Sequence, residues 1–156
     1  MKNKGIILLL AAVIATGGLY LIFNTDRTEA KAGSEAIEIT MYRGEACNCC
    51  VKWAQYLENQ GMEVIDETVD NLQVIKQREN IAPAMQSCHT AIIDGYVVEG
   101  HVPADDILRM IAQQPDAIGI AVPGMPAGSP GMEVGRSDSY KVLLFDRDKY
   151  SVFAEY

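Results

Sequence analysis

Four cysteines are the residues of this chain whose type and spacing indicate chemistry most clearly. Cys47, Cys49 and Cys50 lie within one short segment, and Cys88 stands alone further along the chain. The first three fall between a predicted strand and a predicted helix. A helix N-terminus carries partial positive charge and unpaired N–H groups, which favour a thiolate over a thiol. The segment is therefore suited to reactive or metal-binding sulfur.

Three kinds of chemistry are compatible with these cysteines. Two disulfides could form in an oxidising compartment, but every pairing leaves one bond that closes a very short, strained ring. Cys47 and Cys50 have the C-x-x-C spacing of thiol–disulfide oxidoreductases, although Cys49 interrupts the motif. Metal binding accounts for all four, because adjacent thiolates can bridge several soft ions, and Cu(I) matches Cys and Met best. Zinc ranks behind copper, since one tetrahedral zinc ion prefers more widely spaced cysteines.

Methionine and histidine extend the candidate ligand set. Met125 and Met132 lie in a loop rich in proline and glycine, 122–132, so their thioethers are candidate ligands or hydrophobic cover. His89 adjoins Cys88 and is a candidate ligand or a hydrogen-bond partner of one, and His101 ranks below it. The predicted metal ligands are Cys47, Cys49, Cys50, Cys88, His89 and Met125.

The sequence carries no signature of a conventional enzyme. It shows no Ser/His/Asp arrangement, no phosphate-binding loop and no dinucleotide-binding fingerprint. There are 21 acidic residues against 13 basic ones, and the formal net charge is −8. This balance weighs against nucleic acid as a partner, because nucleic-acid binding needs a basic surface. It is compatible with cations.

Hydrophobic periodicity predicts an α/β domain around the cysteines. Apolar residues alternate over 37–41, as in a half-buried strand. The apolar face of the next helix consists of Cys50, Trp53, Ala54 and Leu57. Asp94-Gly95 joins two apolar runs, which is a strong hairpin signal. The further predicted elements are a strand at 62–68, a helix at 70–80 capped by Asp70, strands at 90–93 and 96–99, a helix at 102–113, a long loop at 115–138, and strands at 142–145 and 151–154.

This order of elements predicts a fold class. Strand, helix, strand, helix, strand, strand and helix, followed by a hairpin, indicate an α/β, thioredoxin-like mixed sheet with flanking helices and an added C-terminal β-hairpin. The residues read as core on helical faces are Trp53, Leu57, Ile107, Leu108 and Ile111.

The first 32 residues are predicted to lie apart from a metal-binding domain at 33–156. Lys2 and Lys4 precede an uncharged run at 5–23, which is typical of a signal peptide or an N-terminal membrane anchor. The sequence Ala-Lys-Ala at 30–32 fits a signal peptidase site, and both cleavage and retention stay open. The positive-inside rule places the rest of the chain outside the cytoplasm, with membrane contact only through this segment. The expected location is periplasmic or extracytoplasmic.

Several longer motifs resemble the CopG-like family of small exported proteins, which are found near bacterial copper and heavy-metal resistance determinants. The matching motifs are ACNCC at 46–50, SCHTA at 87–91, GYVVEGHVP at 95–103, AVPGMPAGSPGME at 121–133 and VLLFD at 142–146. The resemblance spans roughly residues 36–156 and implies a thioredoxin-like fold with a multi-copper thiolate cluster on the four cysteines. It also implies copper handling outside the cytoplasm, with copper ions and other envelope copper-resistance proteins as partners. Storage, transfer and a change of copper oxidation state stay open as roles.

Overall fold

A seven-stranded sheet forms the centre of the part of the chain that the computed structural model describes, residues 36–156. The predicted signal or anchor segment and residues 33–35 lie outside the described residues. The elements in chain order are β1 (Glu38–Arg43), α1 (Asn48–Asn59), β2 (Glu63–Thr68), α2 (Leu72–Arg78), a 3₁₀ turn (Pro83–Met85), β3 (His89–Ile93), β4 (Tyr96–Glu99), α3 (Ala104–Gln113), β5 (Gly119–Ala121), β6 (Lys141–Phe145) and β7 (Tyr150–Glu155). Within 36–156, no helix is both long and apolar enough to cross a membrane.

The sheet is mixed, as predicted, and its strand order is β2-β1-β3-β4-β5-β6-β7. β1 and β2 are parallel because α1 crosses between them, whereas β3 runs antiparallel to both β1 and β4. The C-terminal hairpin of β6 and β7 continues the same sheet. The α/β class, the mixed sheet and the helices are therefore confirmed, and the thioredoxin-like assignment stays a prediction.

The predicted loop at 115–138 is wrong in its first part, because β5 forms there. This strand of three residues pairs in parallel with β4 and connects the C-terminal hairpin to the rest of the sheet. Gly119 permits the pairing, since a Cβ atom at this position would overlap the backbone of Val97. Ile120 is fully buried. So short a strand, between glycine and proline, has no periodic signal of its own.

Two helical details also differ from the prediction. The N-cap of α2 is Asn71 and not Asp70, because the Asn71 side chain accepts a hydrogen bond from the backbone N–H of Gln73 at 3.1 Å. Leu108, predicted to be core, is 38% exposed, whereas its neighbour Ile107 is fully buried. α3 therefore turns Leu108 toward solvent.

Helix α1 presents its predicted apolar face to the core, and the cysteine segment forms its N-terminus. The buried residues of α1 are Cys50, Trp53, Ala54 and Leu57. The indole Nε1–H of Trp53 donates to the carbonyl of Val102 at 2.9 Å, which anchors α1 to the segment before α3. Cys47 occupies the N-cap position. Burial of this face thus fixes where the first three cysteines lie.

A buried ion pair links α2 to the β3–β4 hairpin. Lys76 is 1% exposed and Glu99 is fully buried, and the Lys76 ammonium donates both to Glu99 and, at 3.0 Å, to the Thr90 hydroxyl. The Glu99 carboxylate also accepts from the Thr90 hydroxyl at 2.7 Å and from the backbone N–H of Ser87 at 2.6 Å. A buried carboxylate is tolerated only with such partners. The pair therefore holds the turn at Ser87, next to Cys88, against the hairpin.

We expect Glu99→Gln to lower the free energy of unfolding by about 3 kcal/mol or more, since removing one member of a buried pair leaves an unpaired charge. Urea unfolding followed by circular dichroism measures this change. The matched control is Glu155→Gln, which breaks an ion pair with Lys141 in which both side chains are more than half exposed. The control is expected to change stability by less than about 0.5 kcal/mol. Equal effects of the two substitutions would contradict the structural role of Glu99.

Candidate metal centre

Four sulfur atoms meet at the N-terminal end of α1. Cys47 caps the helix, Cys49 and Cys50 lie in its first turn, and Cys88 directly precedes β3. Because β3 pairs with β1, Cys88 comes to the same end of the sheet as the cysteines that follow β1. The four Sγ atoms lie within 4.8 Å of one another. The predicted meeting of Cys88 with the other three cysteines is thus found in the structure.

The sulfur atoms differ in bonding. Cys47 and Cys50 are joined by a disulfide, with their Cα atoms 5.4 Å apart, and Cys49 and Cys88 are free thiols. The Cys88 Sγ lies 3.6 Å from that of Cys50 and 3.9 Å from that of Cys49. The Sγ atoms of Cys47 and Cys49 are 3.5 Å apart. The arrangement with two disulfides is therefore not formed, and the C-x-x-C pair is the one that is oxidised.

The loop at 122–132 covers the sulfur atoms from the solvent side. The Met125 Sδ lies 4.0 Å from the Cys49 Sγ, and the Met125 side chain is 52% exposed. The Ser87 hydroxyl donates to the carbonyl of Gly124, which ties the loop to the turn before β3. A Cβ atom at Gly131 would lie 2.8 Å from the backbone nitrogen of Trp53. The loop therefore rests directly on α1, with a thioether at the edge of the sulfur cluster.

Both histidines of the chain face Cys88 from the protein interior. The His101 Nε2 lies 3.1 Å and the His89 Nδ1 3.5 Å from the Cys88 Sγ, and both side chains are fully buried. The prediction that His101 is a weaker ligand candidate than His89 is not supported by the distances, because the His101 ring nitrogen is the closer of the two to the Cys88 Sγ. The β3–β4 hairpin register pairs Thr90 with Glu99. Continuing that register by two residues places Cys88 opposite His101, which is the sequence signal for their contact.

Burial changes the protonation of these groups. Burial, followed by the nearby Cys49, raises the pKa of Cys88 to about 12. Burial also lowers the pKa of His101 and, together with His101, lowers that of His89. The ion-free site therefore holds Cys88 as a thiol beside neutral imidazoles. The thiolate preference predicted for the helix N-terminus concerned Cys47, Cys49 and Cys50, and Cys88 lies outside that N-terminus.

The donor atoms define the chemistry that the centre can perform. Thiolates and a thioether are soft ligands that prefer Cu(I), and neutral imidazole binds ions of borderline softness. A metal ion would have to displace the proton of Cys88, because the thiolate is the binding form. Cys47 and Cys50 could serve as thiolate ligands only after their disulfide is reduced. Among the described residues, the predicted ligands that come together are Cys47, Cys49, Cys50, Cys88, His89 and Met125.

The fold and the site define a mixed α/β domain with a cysteine-rich candidate metal centre. The family described as a protein of unknown function, DUF411, matches residues 85–132. A solved structure of copper resistance protein CopG, form 2, is 46% identical, with a TM-score of 0.75, over 78% of this chain and 99% of that one. Form 1 of the same protein is also 46% identical, with a TM-score of 0.74, over 78% of this chain and 98% of that chain. No curated protein sequence matches the chain significantly.

The chain therefore belongs to the CopG-like family. This confirms the family resemblance seen in the cysteine, histidine and Pro-Gly-Met motifs. The matched stretch 85–132 contains Cys88, His89, His101 and the covering loop.

We expect Gly131→Ala to displace the covering loop, because its Cβ would lie 2.8 Å from the Trp53 nitrogen and 3.0 Å from the Cys49 carbonyl. The substitution should lower stability and accelerate alkylation of the Cys49 thiol in the folded protein. Gly135→Ala is the matched control, since Gly135 has nearly the same φ, +79° against +82°, but open space around it. The control adds only the strain of placing alanine in a left-handed backbone conformation, about 1 kcal/mol. Equal alkylation rates in the two variants would contradict this role of the loop.

Proposed function

We propose that this protein is an exported copper-binding protein that holds Cu(I) through Cys47, Cys49, Cys50 and Cys88 and serves copper resistance or homeostasis. The observation that carries the proposal is the approach of all four Sγ atoms to within 4.8 Å of one another. The similar solved structures are named copper resistance proteins, which supports the choice of metal. Copper is the cargo in this role, and no conventional catalytic residues are assigned.

The spacing of the sulfur atoms supports shared thiolates. Two thiolates bound to one ion, each at about the 2.3 Å found for zinc, lie at most about 4.6 Å apart. The Sγ separations that link Cys88 to Cys49 and to Cys50 are 3.9 and 3.6 Å, within that limit. Adjacent Cys49 and Cys50 suit bridging between ions better than binding to one tetrahedral zinc. We infer that the cluster binds more than one Cu(I), with Met125 at its edge and His89 behind it. We expect it to bind zinc more weakly than Cu(I).

The wider setting belongs to the same proposal. The parallel β1-α1-β2 unit, followed by the antiparallel β3–β4 hairpin and α3, supports a thioredoxin-like assignment for the first part of the domain. Lys2, Lys4 and the apolar run at 5–23 support export, with residues 24–156 outside the cytoplasm. Other copper-resistance proteins of the envelope are the proposed partners.

The reduced full chain is expected to bind more than one Cu(I) per molecule under anaerobic conditions, measured as copper and protein content after desalting. Cys49→Ser and Cys88→Ser should each lower this ratio, because each removes a thiolate shared between ions. Met125→Leu should weaken binding less, since one exposed thioether is lost. Met132→Leu, the other methionine of the covering loop, is the matched control.

A copper content below one ion per chain, unchanged when serine replaces any of the four cysteines, would contradict the proposal. Supplying zinc in place of copper provides the comparison for selectivity.

One observation favours a second candidate function, thiol–disulfide exchange. Cys47 and Cys50 form a disulfide at the N-terminus of α1, with C-x-x-C spacing. Cys50 is fully buried and Cys47 is partly exposed, so Cys47 is the sulfur that an incoming thiolate would reach. In this reaction the incoming dithiol is oxidised to a disulfide, and the Cys47–Cys50 bond is reduced to two thiols.

The exchange hypothesis predicts that the copper-free protein accelerates the reduction of a protein disulfide by dithiothreitol. The activity should survive Cys49→Ser and Cys88→Ser and disappear in Cys47→Ser, since only the C-x-x-C pair cycles. Insulin turbidity is a suitable readout. No acceleration by the copper-free protein would exclude this function and leave copper binding unaffected.

A further inference from the structure

A second set of metal-binding atoms lies behind the sulfur cluster. One ligand atom from each of Cys88, His89 and His101 lies within 4.8 Å of the other two, and both histidines are fully buried. We propose that these three residues form a distinct site for a divalent cation of borderline softness, of the class of Zn(II) or Cu(II). The site shares Cys88 with the proposed Cu(I) cluster but does not require the other three thiolates, so it extends the proposed function without depending on it.

The distances suit a bound ion. A zinc ion at about 2.3 Å from sulfur and about 2.0 Å from nitrogen places the two atoms roughly 3.5 Å apart at a tetrahedral angle. The His89 Nδ1 lies 3.5 Å from the Cys88 Sγ. The His101 Nε2 lies 3.1 Å from the same sulfur, so an opening of a few tenths of an ångström admits the ion.

The tautomer of His101 is the one that a metal ligand needs. The His101 Nδ1 lies 2.7 Å from the carbonyl oxygen of Pro130, which can only accept a hydrogen bond, so Nδ1 carries the proton. The lone pair of Nε2 is therefore directed at Cys88. Metal-binding histidines usually donate their other ring N–H to a carbonyl or carboxylate in this way. Pro130 belongs to the covering loop, so the loop orients this ligand.

His89 is not explained as a structural side chain. Its ring packs against the Trp53 ring, with centroids 4.3 Å apart, and its Nε2 is buried without a hydrogen-bond partner among the described residues. Buried polar atoms in proteins nearly always have a partner. The other ring nitrogen, Nδ1, faces the Cys88 Sγ at 3.5 Å, so an ion bound there would give this buried ring a strong polar partner.

The donor set differs in kind from the sulfur cluster. Two imidazoles and one thiolate form a borderline ligand set, which suits Zn(II) and Cu(II), whereas a site made of sulfur alone is softer and is better matched to Cu(I). The centre therefore combines an outer soft region and an inner borderline region, with Cys88 between them.

The test uses Co(II) as the probe and the reduced full chain carrying Cys47→Ser and Cys49→Ser. These substitutions remove the disulfide and two thiols of the outer cluster but keep Cys50, whose side chain is part of the core. Because the Cys50 Sγ lies 3.6 Å from that of Cys88, Cys50→Ala is added in a parallel variant, and Co(II) binding should persist there if Cys50 is not a required ligand. We expect one Co(II) per chain, with a thiolate-to-cobalt charge-transfer band and the visible bands of a tetrahedral ion. Adding His101→Gln should weaken binding by more than the roughly 10- to 100-fold that loss of a ligand's hydrogen-bond partner costs.

Met132→Leu in the same background is the control and should leave the spectrum unchanged. The His101 variant carries the test, because replacing His89 also disturbs its packing on Trp53. Thermal unfolding of each metal-free variant shows that the fold is retained. Lack of Co(II) binding in the double variant, or binding that His101→Gln does not weaken, would overturn the proposal. Cu(I) loading of the native chain is measured separately, so failure of one site is distinguishable from failure of the other.

Discussion

A carboxylate without contact to solvent is the constraint on which the centre depends. Glu99 accepts hydrogen bonds from Lys76, from Thr90 and from the backbone of Ser87, and a buried anion persists only with such partners. These partners lie in α2, in β3 and in the turn before β3, so their positions are coupled. Cys88 follows Ser87 directly. Its place beside the other cysteines is therefore fixed by the burial of charge, independently of any bond between sulfur atoms.

Much of the fold could be predicted from local signals. The apolar face of α1 and the Asp94-Gly95 turn depend on neighbouring residues alone, and both are found as predicted. β5 was missed because three residues carry no period, and it forms only where Gly119 lets its backbone approach β4. The outward position of Leu108 likewise depends on how α3 packs, which a helical pattern does not fix.

The site was predictable to the extent that its residues are close in sequence or follow from strand pairing. Predicting that Cys47, Cys49 and Cys50 lie together required no knowledge of the fold, because they are close in sequence. Predicting that Cys88 joins them required only the expected order of strands. The closeness of His101 to Cys88 follows from the register of the β3–β4 hairpin and not from the local sequence around either residue. The buried Glu99 gave no signal, since a single acid in a strand is ordinarily exposed.

The centre is assembled from segments that are far apart along the chain: the start of α1, the two ends of the β3–β4 hairpin, and the loop after β5. Closing such distant contacts costs chain entropy and slows folding. An ion that needs all three segments binds the native state and not the unfolded chain, and each bound ion shifts that equilibrium toward the native state. With ions bound as proposed, metal supply would govern how long the protein survives proteolysis, because a loaded chain unfolds less often than a metal-free one.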